Sequence, residues 1–296
     1  KWINAMVEDF DIWEVQLDVH EDGCFKKIVK TPKAKGKGSI STKEVIMENS
    51  QDKQKVPMKS FKGNMANYFS IGIDARIGLG FEKNRSTTRC LNKCVYCWEG
   101  FKKMFLSTLK INSIISSLAV IEGGDGICDV DIEIEDLDKK AITVVSTKGN
   151  SDNKSAVIKG NPATLVCLNI NSFMGGASDV WAASRGKSGL QPSGSNEKFG
   201  EQSFGDSKLE FVVFNSATSL GIERFVNGRG KRVFQGQGPF EYRFHNNDPN
   251  GNPVTTYFQI DGEFYQVVSP KLAIVKPHCK IPGGRIKVLI EASSRK

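Results

Sequence analysis

Apolar side chains at Trp13, Val15, Leu17 and Val19 alternate with polar ones, the period-two signature of a half-buried strand, and residues 1–30 read as strand material. The pattern breaks at the Lys/Gly-rich run of residues 30–39 and the chain stays polar to about Lys62. Residues 31–62 are therefore expected to be a Lys-rich insert without order of its own. Residues 67–75 read as a buried strand that ends at a glycine. Over residues 89–109 the apolar positions Leu91, Val95, Trp98, Phe101 and Phe105 follow a helical period. Short strands are predicted over 117–121, 127–134 and 163–170, with polar inserts near 147–160 and 184–203. The last third predicts a strand over 208–214, a helix over 219–234 and several strands between 240 and 290, with the Asn- and Pro-rich run 246–253 as a long hairpin tip. Many short strands beside one or two helices indicate an α+β, β-sandwich-like fold with a few packed helices.

At 296 residues, 39% hydrophobic and 25% charged, the chain is long enough to bury a sizeable core as one large domain or two smaller ones. It has no run of about 18 apolar residues, so no membrane-spanning helix is predicted. The N-terminus carries no signal pattern, which places the chain in an intracellular, cytoplasmic setting with reduced thiols. It begins at Lys1 rather than Met, as expected of a piece of a longer protein. The net charge of +8 suits nucleic acid, anionic membrane or phosphorylated ligands. The Lys-rich stretch is mixed with Gly, Ser, Thr and Gln instead of Arg and aromatic residues, so a nucleic-acid partner is not expected. Cys90, Cys94 and Cys97 fall within the helical pattern with no His nearby and are expected to be small buried hydrophobes, not metal ligands.

Few residues announce chemistry on their own. Gly123-Gly124-Asp125-Gly126 looks like a phosphate cradle, but it runs into an alternating acidic strand instead of a helix, so it is read as a hairpin turn. Asp261-Gly262-Glu263, taken alone, is an ordinary two-residue hairpin turn. Asp74, after a glycine-ended strand, suits a functional carboxylate or a turn cap. Gly175 and Gly176 permit a tight turn or close backbone approach beside Ser172. His20, His245 and His278 are dispersed and receive no role.

Four stretches, in order, resemble the accessory domain of eukaryotic-type diacylglycerol kinases. The first is Asn67-Tyr68-Phe69-Ser70-Ile71-Gly72-Ile73-Asp74-Ala75; the second runs from Asn92-Lys93 through Tyr96 and Gly100 to Phe105. The third is Asn169-Ile170-Asn171-Ser172 with Gly175-Gly176 and Trp181. The fourth runs from Leu209-Glu210-Phe211 through Gly230-Lys231-Arg232 to Gln259-Ile260-Asp261-Gly262-Glu263. Coverage is about residues 65–290, with 63–296 as the accessory domain. Residues 1–30, through Asp11-Ile12-Trp13, resemble the end of the family's catalytic domain, with Ile12 departing from the usual Arg.

The resemblance implies an ATP-dependent, Mg²⁺-requiring kinase that converts diacylglycerol to phosphatidic acid at a membrane surface. Its nucleotide-binding part would precede Lys1. Glu263 would be the general base and Asp261 would orient it or bind Mg²⁺ through water. Ser172, Gly175, Gly176 and Asp74 would line the substrate side. Asp206 matches an acidic position where related bacterial lipid kinases bind a structural Mg²⁺. A sphingosine- or ceramide-type kinase and a non-catalytic lipid-binding module on the same scaffold are the alternatives. The 89–109 helix carries basic residues beside Trp98 and Phe101, a composition suited to an anionic bilayer, yet its apolar stripe is expected in the core.

Overall fold

The computed structural model describes residues 5–31, 39–48, 55–84, 88–104, 109–121, 141–146, 156–157, 161–173, 179–184, 199–223 and 226–291. In chain order the strands before the first helix are β1 (Ala5–Asp11), β2 (Trp13–Thr31), β3 (Ser39–Glu44), β4 (Ile46–Glu48), β5 (Lys55–Pro57), β6 (Ser60–Met65) and β7 (Tyr68–Gly72). Three helices follow, α1 (Ile73–Asn84), α2 (Arg89–Met104) and the single turn α3 (Ile111–Ile114). Then come β8 (Ile115–Ile121), β9 (Ala141–Ser146), β10 (Ala156–Val157), β11 (Thr164–Leu168), α4 (Val180–Ala183), β12 (Lys208–Phe214) and α5 (Ala217–Glu223). The chain finishes with β13 (Lys231–Gln237), β14 (Phe240–Phe244), β15 (Thr255–Ile260), β16 (Glu263–Pro277) and β17 (Arg285–Glu291).

The long strand β16 explains the architecture. Its first half pairs with β15, from Ile260↔Glu263 to Thr255↔Val268, and its second half pairs with β14, from Arg243↔Leu272 to Phe240↔Val275. The change of partner falls at Ser269 and Pro270, where Ser269 has φ 50° and the register with β2 shifts. β2 accompanies β16 through the bend, and Gly23 lets it do so: a side chain there would lie 2.6 Å from the Val268 carbonyl. The bend turns β15-β7-β11-β12-β13 over β8-β14 and the first part of β2, as in a β-sandwich. The core lies between, with Phe69, Phe211 and Phe258 from one half meeting Tyr242 and Phe240 from the other or each other. Trp13, Val15, Leu17 and Val19 all point into it, as their alternation predicts.

A second cluster lies on the outer face of β7, β11 and β12, under α1, α4 and α5. Here Val212 and Phe214 meet Ile73, Ile77, Trp181 and Leu220. α1 springs directly from β7 because Gly72 takes φ 116°, and a side chain there would run into the Ala163 carbonyl.

Several sequence expectations change. Most of the described part of 31–62 is strand: β3 pairs with the end of β2, β4 with β5, and β6 with the first half of β2. β2 contributes Trp13, Val15, Leu17, Val19 and Phe25 to the common core, and β1 pairs with β17. Of the expected 219–234 helix, α5 is described to Glu223 and the Val226 N–H still donates to the Ile222 carbonyl, but Gly228 takes φ 92° and the Glu223 carboxylate accepts from the N–H groups of Gly228 (3.0 Å) and Arg229 (2.7 Å). Lys231 onward is strand paired with β12. Residues 246–253 turn back on themselves, with an antiparallel bridge between Asn247 and Pro253 and the Val254 N–H donating to the Asn246 carbonyl at 3.1 Å. The flanking β14 and β15, however, pair with the second and first halves of β16 instead of extending that hairpin. The Gly123–Gly126 run and the 127–134 strand lie outside the described residues.

The largest reversal is α2. Leu91, Trp98 and Phe101 are exposed, as is Cys94, while Glu99 and Gly100 are buried. Gly80 of α1 leaves room for the Glu99 carboxylate, and Gly100 approaches Ala217 and Gly221 of α5. Three glycines bring the helices too close for a large side chain between them, so the apolar stripe faces outward.

Glu210 of β12 is fully buried and accepts hydrogen bonds from the side-chain amides of Gln202 (2.7 Å) and Gln235 (2.9 Å). Burial, reinforced by nearby Asp206, pushes its carboxyl up to about 8 from an ordinary 4.5. The folded state therefore binds more protons than the unfolded one between these values. This stability is fully present below the unfolded value and is lost as pH rises through the folded one, by up to about 1.4 kcal/mol per pH unit. Glu210→Gln stays neutral, and the buried, unpartnered Oε1 of Gln202 can receive the new amide once its own amide turns over. The variant is expected to lose little at pH 7 and to be the more stable protein above pH 8. Melting curves from pH 5 to 9 check it, and parallel curves for the two proteins would remove Glu210 from the response.

Candidate functional site

Three chain segments meet at one end of the β15-β7-β11 strands. The β15–β16 connection is Asp261-Gly262, with φ 48° and 89°, a two-residue turn with both residues left-handed. Asp and Gly are the residue types that tolerate this backbone. The turn also does more than reverse the chain. Asp261 accepts from three backbone N–H groups of the β6–β7 connection: Ala66 (2.7 Å), Asn67 (2.9 Å) and Tyr68 (2.9 Å). Its own N–H donates to the Tyr68 carbonyl at 3.1 Å.

The same connection is held from the other side by Asn169, at the end of β11. Its amide donates to the carbonyls of Ala66 (2.7 Å) and Asp11 (2.9 Å), its side-chain oxygen accepts from the Trp13 indole (3.0 Å), and its N–H donates to the Asn67 carbonyl. Asn169 is fully buried with its hydrogen-bonding capacity filled, as burial of an amide demands. Ser172, three residues on, is half-buried beside Phe173, whose ring meets Tyr68 edge-on at 4.9 Å. Asn67, Asn169 and Asp261 thus converge although they are far apart in sequence. Gly175 and Gly176 lie outside the described residues.

Glu263 stands at the tip of this arrangement. It is exposed, accepts from the Tyr265 hydroxyl at 2.6 Å and pairs with Lys27 at 3.1 Å. The Lys27 ammonium also sits 5.4 Å from the centre of the Tyr265 ring, which stacks on Phe258. The Tyr265 hydrogen bond first, then Lys27, holds the Glu263 carboxyl below its ordinary value, so it is ionised at neutral pH. Tyr265 was findable, because residues two apart on a strand share a face. Lys27 was not, since only the β2–β16 register brings it there. Tyr265→Phe, which keeps the ring stack, is expected to move the Glu263 titration up toward its ordinary value, and Lys27→Met to move it up by less. An NMR carboxyl titration reads both; an unmoved midpoint in Tyr265→Phe would mean the hydroxyl does not set it.

Asp74 takes a different place from the expected one. It is completely buried in the first turn of α1, accepting from Ser70, from Thr164 (2.7 Å) and from Gln259 (2.5 Å). These partners lie on the adjacent strands β7, β11 and β15, so the carboxylate ties three strands to a helix and is closed to a substrate. Burial raises its pKa, opposed by those three donors.

Asp206 accepts from its own Lys208 N–H at 3.1 Å. Beside it, Asp11 is buried and taken by Arg285 (2.8 Å) and the Ser207 N–H (2.6 Å). Arg285 supplies the positive charge at this place, and no group of three or more His, Cys, Asp or Glu side chains among the described residues is arranged to hold a metal ion.

No helix among the described residues is long and apolar enough to cross a membrane. A comparison with curated proteins brings up no match. The family model described as the diacylglycerol kinase accessory domain matches residues 64–264, a span that takes in the Asp261–Glu263 turn, the connection it clamps and the Asn169–Ser172 segment. The chain belongs to the diacylglycerol kinase accessory-domain family.

Proposed function

We propose that this chain forms the lipid-facing part of an ATP-dependent kinase that phosphorylates the free hydroxyl of diacylglycerol, giving phosphatidic acid, at a membrane surface inside the cell. The observation that carries the reading is the ionised, exposed Glu263 on a turn whose neighbours are clamped from both sides. A rigidly placed carboxylate is what alignment of a hydroxyl for in-line transfer calls for.

ATP with Mg²⁺, held by a nucleotide-binding partner domain, would supply the phosphoryl group and neutralise its charge. Glu263 accepts the hydroxyl proton as the lipid oxygen bonds to the γ-phosphorus and the bond from that phosphorus to the bridging oxygen breaks, releasing ADP. Its lowered basicity suits a proton that leaves late, since the transition state of phosphoryl transfer is loose. Asp261 positions the hairpin and takes no part in the proton transfer, because three N–H groups occupy its carboxylate. Membership of an accessory-domain family supports a kinase setting, and this chain without its partner domain is expected to turn over slowly or not at all.

The test is transfer of labelled γ-phosphate by the protein carrying its nucleotide-binding domain, in detergent micelles containing diacylglycerol, sphingosine or ceramide. Phosphatidic acid as the main product supports the reading, and a sphingoid product would reassign the substrate. No transfer to any of the three by folded protein would leave a lipid-binding module on the same scaffold, in which the Glu263–Lys27 pair is structural.

A further inference from the structure

The outward stripe of α2 calls for a partner. Leu91, Cys94, Trp98 and Phe101 recur at helical spacing on one face, with Leu91 54%, Trp98 59% and Phe101 48% exposed. The Trp98 and Phe101 rings stack 5.8 Å apart at 18°. Ile222 and Val226, at the end of the neighbouring α5, are exposed as well. Large apolar side chains exposed together on one helix face mark an interaction site more often than an accident of packing.

Charge selects the occupant. The sequence of α2 contains Arg89, Lys93, Lys102 and Lys103 against a single acid, Glu99, which is buried between the helices with Lys102 and Asn84 on its carboxylate. Exposed Arg229 follows Val226. A second copy of this chain would bring cation against cation. An anionic bilayer offers headgroups to the basic residues and an interfacial zone that Trp and Phe favour.

On α1, Gly78 lies against Phe264, next to Glu263, and Gly80 lies against Glu99 of α2. The two glycines are two residues apart, so α1 stands between α2 and the Glu263 hairpin, and the stripe lies on the face of α2 turned away from α1.

We propose that the Leu91–Trp98–Phe101 face of α2, extended by Ile222 and Val226, docks this chain on anionic membrane. The inference rests on the lipid-kinase reading for its purpose, while its geometry stands apart from it. Docked there, the stripe keeps the chain at the surface that holds the lipid, with α1 and α2 between that face and the Glu263 hairpin.

Co-sedimentation with phosphatidylcholine vesicles, with and without about 30 mol% phosphatidylserine, tests it on this chain. The unmodified protein is expected to favour the anionic vesicles, and the Trp98→Ser/Phe101→Ser double variant to partition at least about tenfold more weakly. A matching urea midpoint shows that the variant is folded. On the unmodified protein, brominated lipids should quench Trp98 emission, isolated as the difference from Trp98→Phe. Equal partition of the double variant, no quenching of Trp98, or no vesicle binding by the unmodified protein overturns the proposal. So does loss of self-association or of partner-domain binding in the double variant with vesicle partition unchanged. The kinase reading is tested separately in detergent micelles, which need no bilayer docking. There the double variant should keep its turnover, and vesicle binding through Trp98 by a protein with no turnover would leave the docking surface standing without the kinase.

Discussion

Asp261→Ala is expected to lower the unfolding free energy of this chain by about 3 kcal/mol, with Asp261→Asn costing less than half as much. Three backbone N–H groups, of Ala66, Asn67 and Tyr68, end on this one carboxylate. Alanine removes all three acceptor contacts, and a hydrogen bond to a charged group contributes about 1.5–3 kcal/mol where the alternative is an unpaired donor. The connection is only partly buried, so water recovers much of that loss and the three contacts together fall well below their simple sum. Alanine also sits poorly at φ 48°, a conformation that Asp and Asn accept, for roughly another 1 kcal/mol. Asparagine keeps the backbone preference and one acceptor oxygen. Urea unfolding of the three proteins measures the difference, and a loss below about 1 kcal/mol for alanine would mean that Asn169 alone holds the connection.

Glu263→Gln is expected to lower kcat/KM for diacylglycerol by at least about a hundredfold in the protein carrying its nucleotide-binding domain, close to 2.7 kcal/mol of transition-state stabilisation. The substitution preserves shape and removes the charge and the basic oxygen. Stability should barely change, because the side chain is exposed and its pair with Lys27 is a surface one. That separation of effects makes the pair of variants informative. Asp261→Ala reduces both stability and turnover by loosening the hairpin, whereas Glu263→Gln reduces turnover alone. Equal turnover in Glu263→Gln and the unmodified protein would take Glu263 out of the mechanism and leave the kinase reading to stand on substrate specificity.

Much of the site was legible at the level of segments, less so at the level of roles. The motif stretches containing Asn67, Ser172 and Asp261 do converge, yet nothing in the sequence placed Asn169 as the residue that joins two of them to β1 and β2. Asp74 carries the same local signature as a functional carboxylate, and only the strand order β15-β7-β11 buries it under three donors. Asp206 lies next to Asp11 and Arg285, a neighbourhood assembled from opposite ends of the chain.

By itself the sequence determined what a few adjacent residues can settle. The alternation from Trp13 to Val19 set which side chains of β2 face the core, because successive residues on a strand must point to opposite faces. Asp261-Gly262 set the turn, because few other pairs accept two left-handed residues in succession. Tertiary structure decided which surface each element presents. α2 has the periodicity of a helix buried by its apolar stripe, but Gly80 and Gly221, from helices on either side, draw its polar and small face inward and leave Trp98 outside. The run 246–253 turns back on itself as its composition predicts, with Asn247 bridged to Pro253, but β16 bends at Ser269 and Pro270 and so the two flanking strands pair with its different halves instead of with each other. Periodicity and turn chemistry act over a few residues, whereas the facing of a helix and the partner of a strand depend on neighbours the chain reaches only once it has folded.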